Sequence, residues 1–208
     1  MVSLGLVLGV AGNSVATQVN DATLSIPFSA GSGNSNQHFA IDTNSILGIE
    51  VGLKAKPRFL GDAIPVGNIY YVSTGYQASP TTYANWNFDW SLILGTSYQG
   101  YSVSFDYDID PSTAINYSNL TSAATGPGGQ DSWNYGMSFL GIVGFNANLN
   151  ATYDIALSVL SATGAPVASS HIQVVVGDGG TQVPEPATML LLGLGLMGIA
   201  GIRRKFKG

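Results

Sequence analysis

The chain has 208 residues, 27 of them glycine and none cysteine, and only 9% are Asp, Glu, Lys or Arg, far below the roughly one quarter usual for soluble domains. Four of its seven basic residues fall after position 202; before position 183 there are eleven acidic against three basic residues, a net charge of −8. Such a surface disfavours nucleic acid and anionic membrane as partners, and the missing cysteine excludes a disulfide framework and any thiolate metal or redox centre.

Residues 2–12 are apolar, and Ser14-Val15-Ala16 places small side chains before Thr17. This is the h-region and cut site of a secretory signal over residues 1–16. The positively charged n-region is missing, since no Lys or Arg occurs before Lys54, so the signal is expected to be truncated at its start. An apolar first strand is the competing reading.

Residues 17–176 form the body, long enough for one domain with its own core. Apolar residues alternate with polar ones at 24–28, 47–55, 69–74, 86–94, 101–110, 132–142, 152–159 and 172–176. In 86–94, Trp86, Phe88, Trp90, Leu92 and Leu94 share one face; in 47–55, Glu50 and Lys54 point the other way. Period two with Gly, Pro, Asn and Ser between the runs predicts strands. No segment of the body carries a helical stripe. The expected fold is all-β: an antiparallel β-sandwich, jelly-roll or immunoglobulin-like.

Candidate chemistry is sparse. Asp106, Asp108 and Asp110 would line one strand face about 7 Å apart and are the candidate Ca²⁺ ligands. The alternative is a solvated face neutralised by Lys54, Lys56 and Arg58. Pro111 stands where an EF-hand needs Gly, and Tyr117 where it needs Glu. Trp133 and the loop residue Tyr83 are the candidates for stacking on a sugar ring, whereas Trp86 and Trp90 share the apolar face and read as core. His38 and His171 belong to no metal-ligand motif. A glycosidase pair would have to join Glu50, the only Glu in the body, to an Asp such as Asp89. No catalytic residue is assigned, and the body is expected to be non-enzymatic.

A Gly-rich linker at 177–182 leads into the C-terminal segment, 183–208. Val183-Pro184-Glu185-Pro186 precedes an uncharged run at 187–202, which ends in Arg203, Arg204, Lys205 and Lys207. Sixteen residues make a helix of about 24 Å, short against a bilayer core of about 30 Å, and four of them are glycine. The basic cluster would stay cytoplasmic and leave the body outside. The order of Pro-Glu-Pro, apolar span and basic end resembles the PEP-CTERM sorting signal of Gram-negative bacteria.

That resemblance implies recognition at Val183–Pro186 by exosortase, a membrane transpeptidase. It also implies a transient stay in the inner membrane, then delivery to the cell envelope, surface or exterior, in hosts that make exopolysaccharide or biofilm. The body is then expected to be a structural or adhesive matrix protein with exopolysaccharide as a partner. Alternatives are a carbohydrate-binding module sent by the same route, an ice-binding protein (the tail type occurs on some), and a hydrolase built on Glu50.

Overall fold

The computed structural model describes residues 17–31 and 35–180. The expected signal at 1–16, the sorting residues and the helix at 187–202 lie outside the described residues. Among the described residues no helix is long and apolar enough to cross a membrane.

The elements follow in the order β1 (Val19–Ala22), β2 (Phe39–Asn44), β3 (Ile49–Pro57), β4 (Ile69–Val72), β5 (Trp86–Ile93), β6 (Ser102–Asp108), β7 (Tyr117–Ala123), β8 (Gly128–Trp133), a 3₁₀ turn (Ser138–Leu140), β9 (Ala151–Leu160) and β10 (Pro166–Val176). They build two five-stranded sheets, β1-β2-β3-β5-β8 and β4-β10-β9-β6-β7. The alternation in 86–94 becomes β5, with Trp86, Phe88 and Leu92 buried on its inner face. Val51, Leu53, Trp86 and Phe88 of the first sheet share one core with Phe105, Tyr107, Ile155, Leu157 and Ile172 of the second. Rings meet across the sheets, Trp86 to Tyr153 at 6.1 Å and Trp90 to Phe105 at 5.4 Å. Such pairs add about 0.5–1.5 kcal/mol each beyond their buried area.

The sheets are not wholly antiparallel as expected: β4 runs parallel to β10, with Ile69 opposite Gln173 and Val72 opposite Val176. Period two fixes which side chains share a face, but it is the same for either strand direction. The long chain between these strands supplies the crossover a parallel pair requires.

Residues 24–28 form no strand. They lie as a strap over the outer face of the first sheet, where Leu24 and Phe28 pack with Phe39 and Ile41 in a second, smaller core. Gly52 permits this approach, because a Cβ there would stand 2.7 Å from Leu24 Cδ2 and 3.3 Å from the Phe39 ring. Residues 132–142 leave the strand early, since β8 ends at Trp133. Asn134 then folds the chain back, its amide donating to the Trp86 carbonyl at 2.7 Å and its Oδ1 accepting from the Ala84 and Gly136 amides at 2.9 Å. Strands β1, β2 and β7 have no predicted counterpart; β7 is a polar edge strand, Tyr-Ser-Asn-Leu-Thr-Ser-Ala, with too few apolar residues to show a period.

The described part of the linker, 177–180, is tied down. Gly177 N–H donates to the Val72 carbonyl at 2.8 Å, and Gly180 N–H to Thr152 Oγ1 at 2.9 Å. A Cβ on Gly180 would fall 2.3 Å from the Pro111 carbonyl oxygen. Residues 177–180 are therefore part of the body rather than a slack spacer.

Candidate functional site

β7 and β8 are terminal strands of their sheets, and between them the core opens into a cleft of about 380 Å³. Trp90, Phe105, Trp133 and Gly129 form its wall, and Ser122 and Thr125 stand at its edge; no lining residue is charged. The Trp133 ring lies 4.7 Å from Phe105, 5.0 Å from Phe139 and 5.5 Å from Trp90. Trp133 Nε1–H donates to Asp131 Oδ2 at 2.9 Å. Trp90 Nε1 is buried and has no acceptor among the described residues.

Tyr83 lies elsewhere. It is half-buried beside a separate hollow of about 290 Å³ that also takes in Lys56, Arg58 and Asp131, with the Arg58 guanidinium 6.0 Å from its ring centroid. The two expected stacking residues thus do not share a platform. Trp133 is joined instead by Trp90, which sequence parity had placed in the core. Parity identifies the inner face correctly, but it cannot say that β5 and β8 stand next to the open edge.

The outer face of the first sheet carries a buried charge cluster. Lys54, expected to point outward, does leave the core face, but the strap covers it completely. Its ammonium donates to Asp62 Oδ1 at 2.6 Å and to the Ser35 carbonyl at 2.9 Å, and lies 4.7 Å from the Phe39 ring centroid. Directly opposite on β5 is Asp89, also fully buried, with Lys54 Nζ 3.9 Å from Oδ2. Burial pushes the Asp89 carboxyl up to about 6 against the attraction of Lys54 and Lys56. Burial likewise lowers the Lys56 pKa. Burial opposes ionisation of Asp62 too, but hydrogen bonds from Lys54 and Ser35 win and hold its carboxyl below the usual range. Arg58 donates to Asn87 Oδ1 at 3.2 Å. The three basic residues therefore face Asp62, Asp89 and Asn87 rather than the Asp106–Asp110 row on the other sheet.

That row is divided because β6 ends at Asp108. Asp106 accepts from Asn119 Nδ2 at 2.6 Å. Asp108 is buried, and its Oδ1 accepts from the Asp110 and Asn116 amides at 3.0 and 2.9 Å. Asp110 Oδ1 accepts from the Ser112 amide at 2.8 Å. Of the residues named as Ca²⁺ ligands, Asp108 and Asp110 thus close a turn while Asp106 stays on β6, and among the described residues no group of three or more His, Cys, Asp or Glu gathers as for a metal ion.

Glu50 and Asp89 also stay apart. Lys54 faces Asp89, whereas Glu50 lies four residues back along β3, about 13 Å by backbone rise, and its carboxylate accepts from the Ser25 amide at 3.1 Å. His38 and His171 bind separate partners, Asp21 at 2.6 Å and Asp154 at 2.7 Å.

Comparison with known proteins supplies what lies beyond Gly180. Residues 182–205 match the PEP-CTERM protein-sorting motif. The match takes in Val183, Pro184, Glu185 and Pro186, the apolar run, and Arg203, Arg204 and Lys205. No curated protein matches the chain. The motif defines a bacterial protein sorted by exosortase to the surface or the exterior.

Proposed function

We propose that the mature body is a non-catalytic structural or adhesive protein of the cell envelope or extracellular matrix, a β-sandwich delivered after a transient stay in the inner membrane. What supports this reading above all is the joining of a PEP-CTERM motif at 182–205 to a cysteine-free, acidic two-sheet body. Its stability comes from an apolar core, and its surface offers hydroxyls and amides suited to a hydrated polysaccharide. A second reading, a carbohydrate-binding module sent by the same route, is favoured by the aromatic cleft between β7 and β8.

The test is fractionation of the native host with mass spectrometry of the protein's C-terminus. The mature form is expected in the envelope or medium, lacking Arg203, Arg204, Lys205 and Lys207. Changing Pro184, Glu185 and Pro186 together to alanine is expected to leave most of the protein uncut in the membrane fraction. A mature form that keeps its basic end, or processing unchanged by the triple replacement, would refute the proposal.

A further inference from the structure

We infer that the cleft between β7 and β8 binds a neutral sugar unit of a polysaccharide, seated against Trp90 and Trp133; this rests on the reading of the body as an envelope or matrix protein. A volume of about 380 Å³ falls within the range of small-ligand pockets, roughly 300–1,000 Å³. Its chemistry has two sides, as a pyranose does. The C–H face of the sugar requires an apolar, polarisable surface, which two indoles and the Phe105 ring supply. The hydroxyls require donors and acceptors, and Ser122 and Thr125 stand at the edge.

Two further observations narrow the ligand. With no charge in the lining and a net −8 on the body, an acidic polysaccharide would be repelled without a local cation to offset it. A purely apolar molecule would offer no hydrogen-bond partner to the Ser122 and Thr125 side chains at the edge, and a polar group covered without a partner costs about 1–3 kcal/mol. A neutral polyol fits both constraints. The cleft is also open because of one residue: Gly129 stands opposite Leu92 on the inner face of β8, and a Cβ there would already lie 3.4 Å from the Trp90 ring. A larger side chain at 129 would therefore occupy the site.

Tryptophan emission reports on the cleft, because two of the three tryptophans line it and the third, Trp86, is sealed in the core. The purified full chain would be titrated with cellohexaose and maltohexaose, with hexagalacturonate as the acidic comparison. At least one neutral hexamer is expected to shift the emission saturably with a midpoint of about 0.1–1 mM, and the acidic one to leave it unchanged. Gly129→Val is expected to weaken binding at least about tenfold. If that variant does not fold, the double variant Ser122→Ala/Thr125→Val, both at exposed positions, is expected to weaken it by roughly five- to tenfold through lost hydrogen bonds.

Absence of a saturable shift with either neutral hexamer overturns the inference, as does undiminished binding in the folded variants. So does a concentration-dependent dimer that Gly129→Val abolishes, which would show a second copy covering the cleft. These failures are separable from failure of the envelope reading. A correctly delivered protein blind to both hexamers defeats the sugar site alone, whereas a sugar-binding protein left uncut in the membrane defeats the envelope reading alone.

Discussion

Lys54→Ala is expected to lower stability by about 3–5 kcal/mol, the usual result of removing one member of a buried ion pair. Lys54 has no exposed surface and serves several partners at once. It offsets Asp62 at 2.6 Å, lies near Asp89 at 3.9 Å, donates to the Ser35 carbonyl, and sits 5.9 Å from the ring centroid of Phe28 in the strap. Without it, Asp89 has lost its facing cation, the Ser35 carbonyl its donor and the Phe28 ring its cationic neighbour. Urea unfolding at pH 7 would show this as a fall in the midpoint at an unchanged slope, and heating as a drop of order 10 °C for a domain of this size. A loss below about 1 kcal/mol would mean that the strap does not close over β3 as described.

Asp89→Asn should act in the opposite direction. The folded-state pKa of Asp89 is raised to about 6 from an ordinary 3.8, chiefly by burial. The folded protein therefore binds this proton more tightly than the unfolded chain does. Below pH 3.8 the group is protonated in both states and carries no penalty. As the pH rises toward 6 the unfolded state ionises freely while the folded state resists, so stability falls. Above pH 6 the full penalty is present, about 2–3 kcal/mol from a shift of about two units. Asparagine keeps the shape and removes the charge. The variant should be more stable than the parent by about 2 kcal/mol at pH 7.5 and indistinguishable from it near pH 4. In a Lys54→Ala background the gain should grow, since the two residues are in register and couple. A variant equally stable, or less stable, at pH 7.5 would show that Asp89 is held ionised by its neighbours.

The contrast between these residues explains what the sequence could and could not convey. Alternation placed Trp86, Phe88 and Leu92 on the inner face of β5 and Lys54 on the outer face of β3, and both placements hold in the structure. Alternation has nothing to say about what covers a face. Lys54 points away from the core and is still fully buried, because residues 24–28, whose alternation predicts a strand, cross over it as a strap. Trp90 is the converse case: its parity is that of the core, yet it lines an open cleft because its neighbour β8 ends the sheet. The Asp106, Asp108 and Asp110 spacing suggested a shared face, but a strand that stops at Asp108 turns the last of them elsewhere. The sorting segment was legible in full, since Pro-Glu-Pro, an apolar run and a basic end are carried by composition and order alone and need no partner strand.

β10 ends at Val176, and Gly180 is already stitched to Thr152. Four residues on, even a fully extended backbone puts Pro184 no more than about 14 Å away. Any enzyme that reads Pro184-Glu185-Pro186 must therefore work almost flush against a finished domain, and its mouth must leave room for the bulk of β4, β10 and β9. Lengthening the chain after Gly180 would relieve that crowding, so the closeness of the fold to the recognition motif is a dimension of the substrate that the docking enzyme has to accommodate.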